Sequence, residues 1–174
     1  MSLIGLGLVP FLMYYLYVIL PLAPLAYLLI KWRAYRDGAE ADPWLGAAVL
    51  LQYFWTIALH LALIGLTLSL AGLIGERMAG EVKPGLALLF TGVIALLASF
   101  FALKRLPPSP RRWQAWRLFF ALNLLACGLL ALVALGAASL ALFTGKTDDL
   151  RLPLVALVVF AAAWGWFLRL LVRK

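Results

Sequence analysis

The chain has 174 residues, of which 66% are hydrophobic and only 13% are charged. Soluble domains are about 45–50% apolar and about 25% charged, so a water-soluble fold could not bury this much apolar surface. The charged residues also cluster between uncharged stretches of about 20 residues or more, the length that an α-helix needs to cross a bilayer. The composition therefore predicts an integral membrane protein, and we expect no nucleic-acid partner despite the net charge of +8.

Hydropathy predicts an all-α fold, a polytopic bundle of transmembrane helices that forms a single integral membrane domain over residues 1–174. Asp42-Pro43 reads as an N-cap followed by a proline at the first helical position of the second span. Pro84 and Pro153 are expected to open the third and fifth helices in the same way. The five predicted spans cover about residues 3–30, 44–74, 86–103, 113–143 and 154–172.

The basic residues predict how these spans are oriented. Alternating spans put 11 of the 15 basic residues on one side, and the whole net charge of +8 lies there. On the other side, four basic and four acidic residues cancel. Because loops rich in Lys and Arg stay in the cytoplasm, we expect the N-terminus outside and the C-terminus inside. The expected location is a bacterial inner membrane.

Tryptophans and basic residues on this cytoplasmic side are candidates for contact with lipid headgroups. Indole rings anchor at headgroup depth, and a basic rim can bind anionic lipids, although the orientation rule alone also explains the charges. Trp44, Trp116, Trp164 and Trp166 are expected near the same side. The candidate headgroup contacts are Trp32, Arg33, Lys104, Arg105, Arg111, Arg112 and Trp113.

A weak internal repeat relates two parts of the chain. A shift of 69 residues superposes Trp44 on Trp113 and Pro84 on Pro153. Spans two and three, and spans four and five, then form two hairpins in the same orientation behind one N-terminal helix. Parallel repeats of this kind occur in transporters. However, any two apolar hairpins would share some Leu and Ala positions.

Polar side chains follow one face of the second span, around the only histidine of the chain. At 100° per residue, Gln52, Thr56, His60 and Thr67 lie within about 80°, and Tyr53 lies beside them. A polar side chain that faces hydrocarbon is costly, so we expect this face to point inward, against protein or around a pore. We define the polar seam as Gln52, Tyr53, Thr56, His60, Thr67 and Asn123.

Small residues form other faces that suit close contact between helices. In the third span this face holds Thr91, Ala95, Ala98, Ser99 and Ala102. The packing candidates of the second and fourth spans are Ala58, Ala62, Gly65, Ser69 and Gly72, with Cys127, Ala131, Ala134 and Ala138.

His60 has three interpretations. Its neutral ring could hydrogen-bond to Asn123, Thr91 or Ser99 and hold helices together. It could line a hydrated path and relay protons. It could also be an axial ligand of haem or of a metal ion, but a single histidine needs a second ligand from elsewhere. We expect no cofactor, with haem bound through His60 as the alternative.

The chain carries no signature of catalysis. All seven carboxylates lie in loops, and Cys127 is the only cysteine, which excludes an intrachain disulfide or cysteine cluster. We therefore expect a non-enzymatic subunit or self-assembling scaffold of a larger membrane complex, whose partners are lipids and either other subunits or copies of itself. The alternatives are an oligomeric channel or transporter with the polar seam at its centre, and a haem- or quinone-binding electron-transfer subunit.

Overall fold

A computed structural model describes residues 22–36, 42–74, 80–108, 110–145 and 150–172. Within these ranges the secondary structure is helical and contains no strand, which confirms the prediction of an all-α protein for this part of the chain. A helix satisfies all of its own backbone hydrogen bonds except at its ends, as a hydrocarbon environment requires. The helices are α1 (Leu22–Arg36), α2 (Leu45–Ile74), α3 (Val82–Arg105), α4 (Pro110–Phe143) and α5 (Arg151–Val172).

Four of the described helices are long and apolar enough to cross a membrane. They are α2, α3, α5 and the Arg112–Phe143 part of α4. Such helices suggest a protein integral to a membrane. Of the first predicted span, the structure describes residues 22–30, which lie in α1; this helix has 15 residues and continues past the predicted end to Arg36. Residues 3–21 of that predicted span lie outside the described residues.

Two of the helices begin earlier than the prolines predict. The structure starts α3 at Val82 and α5 at Arg151, two residues before Pro84 and Pro153 respectively. A proline is tolerated throughout the first turn, because the first four N–H groups of a helix have no partner inside it. At α2 the backbone N–H of Trp44 donates to Asp42 Oδ1 at 2.9 Å, as expected for a capping side chain, but the helix starts at Leu45, two residues after Pro43.

The helices pack as two antiparallel hairpins, α2 with α3 and α4 with α5. A shift of 69 residues carries Ile74 onto Phe143, which are the last residues of α2 and α4. The same shift carries Val82 onto Arg151, the first residues of α3 and α5. The two hairpins therefore agree in the positions of these helix ends.

The first residues of α2 and α4 and the last residues of α1 meet at one end of the bundle. Ile30 of α1 joins a buried cluster with Leu45 and Val49 of α2 and Ala115 of α4. The ends of α3 and α5 reach the same level, where Leu103 lines a small cavity beside Gln52 and Phe167 contacts Trp55. We call this the basic end, because it gathers Lys31, Arg33, Arg36, Lys104, Arg105, Arg112, Arg117 and Arg169.

Candidate functional site

The centre of the bundle is a hydrogen-bonded contact between α2 and α4. Asn123 Nδ2 donates to Thr56 Oγ1 across the two helices at 3.1 Å, and to the Phe119 carbonyl of its own helix at 2.7 Å. Asn123 is fully buried, and Thr56 is only 7% exposed. Because water does not reach this contact, each polar atom depends on its protein partners.

Gln52 makes a second contact between the same helices, one turn before Thr56. With its amide oriented to match donors and acceptors, Nε2 donates to the Ala115 carbonyl at 3.2 Å. In the same orientation Oε1 accepts from Trp116 Nε1 at 2.8 Å. Two successive turns of α2 are thus hydrogen-bonded to α4. Because α2 and α4 belong to different hairpins, these bonds connect the two hairpins.

His60 lies one turn further along the same face and is 1% exposed. Its Nδ1 donates to the Thr56 carbonyl of its own helix at 2.9 Å. Because a carbonyl can only accept, Nδ1 carries the hydrogen, and in the neutral ring Nε2 is the acceptor. Of the expected partners, Asn123 bonds to the Thr56 hydroxyl, Ser99 is buried and Thr91 is exposed.

The other seam residues have different surroundings. Tyr53 is buried between α1 and α4, beside Ile30 and Phe119. Thr67 is buried, and its hydroxyl donates to the Leu63 carbonyl of its own helix at 2.8 Å. The structure therefore brings Gln52 and Thr56 against α4, whereas Tyr53 belongs to an apolar cluster and Thr67 bonds within α2.

The small face of α2 packs directly on α3. A methyl group added to Gly65 would meet the Leu89 amide and would lie 2.7 Å from the Gly85 carbonyl. A methyl group on Gly92 would lie 2.7 Å from the Ala58 carbonyl. At such distances the two backbones touch, with no room for side chains between them. The packing candidates of α2, all buried, are Ala58, Ala62, Gly65, Ser69 and Gly72.

The small faces of α3 and α4 are only partly covered. In α4, Cys127, Ala134 and Ala138 are buried, whereas Ala131 is half-buried. Cys127 packs against Phe160 and Phe167 of α5. In α3 the buried face follows Gly85, Gly92 and Ser99, spaced seven residues apart, while Thr91 and Ala98 are exposed and Ala95 and Ala102 are half-buried.

An aromatic cluster beside Gln52 was not anticipated from the sequence. Trp55 lies 6.4 Å from Trp116 and 6.3 Å from Phe167, measured between ring centroids. Trp116 also packs edge-on against Phe120 at 4.8 Å. Trp116 was expected among the headgroup anchors, but it is half-buried where α2, α4 and α5 meet. The closeness of a tryptophan to basic residues in the sequence does not show whether its ring anchors at the lipid headgroups or packs inside the bundle.

The predicted headgroup contacts that the structure describes lie at the basic end. Trp32 is 62% exposed, and Arg33, Lys104, Arg105 and Trp113 are also exposed. Arg112 differs, because its Nη2 lies 3.5 Å from Asp42 Oδ1 and both side chains are nearly buried. This ion pair was missed, since the two residues are far apart in sequence. The side chain of Arg111 lies outside the described part.

The chemistry of this region is hydrogen bonding between helices. Within the described ranges, no group of three or more His, Cys, Asp or Glu side chains is placed to hold a metal ion. Haem ligation through His60 stays a prediction. No protein-family model, curated protein or solved structure matches the chain.

Proposed function

We propose that the protein is a non-catalytic subunit or self-assembling scaffold of a larger membrane complex. It crosses a bacterial inner membrane five times, with its N-terminus outside and its C-terminus in the cytoplasm. The single domain spans residues 1–174, and its partners are lipids and other membrane subunits or copies of itself.

The observation that carries this proposal is the burial of the polar seam inside one chain. The Thr56 hydroxyl accepts from Asn123, and Gln52 bonds to Ala115 and Trp116. A channel would instead need these groups to face a hydrated axis. Because α4 covers them, they are suited to holding two hairpins in register, a common use of polar side chains between membrane helices.

The outer surface supports assembly within the bilayer. On α3, Thr91 and Ala98 are exposed, next to large apolar side chains such as Phe90, Ile94 and Phe101. Small residues let a second helix approach closely where the hydrophobic effect gives no help. The short connections between the helices leave partners to be met mainly along such faces.

The orientation is supported by the charges at the basic end. The exposed residues Arg33, Lys104 and Arg105 gather there with Arg117 and Arg169. Lys83 and Arg151 begin helices at the opposite end. Lys and Arg are retained on the cytoplasmic side during insertion, so the basic end is assigned to the cytoplasm.

The native mass of the detergent-solubilised protein tests the role in a complex. We expect a protein mass well above the 19.1 kDa of one chain, with a defined partner or a whole number of copies. His60→Leu should leave that mass unchanged, because the imidazole lies inside the chain rather than at a partner surface.

A single chain that conducts ions would contradict the proposal. The clearest such result is a monomeric protein that lets ions into liposomes at a rate that depends on pH and that changes in the His60→Ala variant. A coloured preparation with a haem spectrum would equally favour the electron-transfer alternative.

A further inference from the structure

An apolar groove runs along the outer surface between α4 and α5. It has a volume of about 530 Å³. Gly128 shapes one wall, because a methyl group there would lie 2.9 Å from Cδ1 of the Trp164 ring. The glycine therefore lets the indole approach α4 closely. The lining includes Ala121, Gly128 and Leu132 of α4 with Leu157, Ala161 and Trp164 of α5.

The internal repeat shows what is unusual about this face. The shift of 69 residues relates it to the face of α2 that carries the polar seam and that α4 covers. On α2 that face is buried and polar, and on α4 it is open and apolar. In chain order, Ala48, Gln52, Thr56 and His60 correspond to Arg117, Ala121, Leu125 and Leu129.

One charged residue stands at the basic end of the groove. Arg117 is exposed, and it replaces Ala48, which is fully buried at the equivalent position of α2. At 100° per residue, Arg117 lies within about 40° of Ala121 and Gly128. It is one turn, or about 6 Å, from the start of the groove.

The length of the groove fits a hydrocarbon chain. From Ala121 to Leu135 the lining of α4 extends for about 21 Å, at 1.5 Å per residue. One leaflet of a bilayer is about 15 Å of hydrocarbon, so the groove reaches through the leaflet next to the basic end. Its lining is apolar apart from the indole N–H of Trp164.

We propose that this groove is a binding site for one anionic phospholipid. An acyl chain lies between α4 and α5, and the phosphate of the headgroup pairs with the guanidinium of Arg117. A guanidinium presents a planar set of donors that matches phosphate oxygens. The site depends on the membrane placement proposed above, but it does not depend on any partner protein.

A lipid fits this face better than a second copy of the chain. The contact that this protein makes between its own hairpins uses hydrogen-bonding side chains, Gln52 and Thr56 on α2 and Asn123 on α4. The groove replaces the two α2 positions by Ala121 and Leu125. The loss of hydrogen-bonding groups and the gain of an arginine together match the chemistry of an anionic lipid.

Native mass spectrometry, which counts the lipids that the protein retains, tests whether the charge of Arg117 selects an anionic lipid. Phosphatidylglycerol and phosphatidylcholine with the same acyl chains are added to the detergent-purified full chain. We expect one phosphatidylglycerol to be retained in preference to phosphatidylcholine. Arg117→Gln should weaken phosphatidylglycerol binding about five-fold, the factor expected for one basic residue near an anionic headgroup. Arg36→Gln removes an equal charge from the same end, at an exposed residue of α1 that does not line the groove, and should have no effect.

A second pair of variants tests the groove itself. Ala161→Leu fills the groove and should reduce retention of both lipids, whereas Ala162→Leu adds the same side chain at an exposed position that does not line it. Equal losses of phosphatidylglycerol binding in Arg117→Gln and Arg36→Gln would overturn the site, since they indicate diffuse attraction. Cross-linking of residue 161 to another copy or to residues 1–21 would also overturn it, because protein would then occupy the groove.

Discussion

Gly65→Ala should lower the free energy of unfolding by about 3 kcal/mol, because the added methyl group overpacks the contact between two helices. The new methyl group would meet the Leu89 amide and the Gly85 carbonyl, so α2 and α3 would have to separate. Separation loses van der Waals contact along the whole crossing, and such contact drives helix association in lipid. The measurement is unfolding of the purified protein by SDS in mixed micelles.

Gly136→Ala is the matched control for this prediction. It is the same substitution inside a long helix, but nothing lies within 4 Å of the added methyl group. Alanine is a better helix former than glycine by up to about 1 kcal/mol, so this variant should be neutral or slightly more stable. If both variants shift stability in the same direction, the close approach of α2 and α3 is wrong.

Asp42→Ala should lower the free energy of unfolding by about 2 kcal/mol, because it removes two interactions at once. Asp42 Oδ1 accepts from the Trp44 N–H at the start of α2, and it lies 3.5 Å from Arg112 Nη2 at the start of α4. The carboxylate therefore caps one hairpin and connects it to the other. The same SDS titration measures the change.

Two further variants separate these contributions. Asp42→Asn keeps an oxygen that can cap the helix but loses the charge, so it should cost about half as much. Arg112→Gln removes only the ion pair and should resemble Asp42→Asn. An unchanged stability in Arg112→Gln would show that the pair contributes nothing and that the cap accounts for the whole effect.

Composition and periodicity predicted the helices because a bilayer imposes simple rules. The second predicted span, about residues 44–74, closely matches α2, since Asp42 marks its start and the apolar run ends at Ile74. The structure extends the third from 86–103 to Val82–Arg105, and it begins the fourth at Pro110 rather than at residue 113. Hydropathy identifies only the residues that suit the hydrocarbon layer. The helices themselves continue into the headgroup region until a cap or a break in the backbone ends them.

The partners of the polar side chains could not be predicted in the same way. Periodicity groups Gln52, Thr56 and His60 on one face, but it does not fix the rotation and height of α4 against α2. Trp116 therefore appeared to be a membrane anchor, although its indole N–H bonds to Gln52. The exposed Thr91 and Ala98 show the same limit, because a small-residue face does not reveal which neighbour, if any, covers it.

The placement across a membrane, with the basic end in the cytoplasm, is tested most directly by labelling single cysteines in intact cells. Gly80→Cys and Pro108→Cys introduce exposed thiols just beyond the two ends of α3, while the native Cys127 is fully buried and serves as an unreactive background. A membrane-impermeant maleimide should label Gly80→Cys from outside and should label Pro108→Cys only after permeabilisation. Equal labelling of both variants in intact cells would contradict the crossing, and the opposite pattern would reverse the orientation.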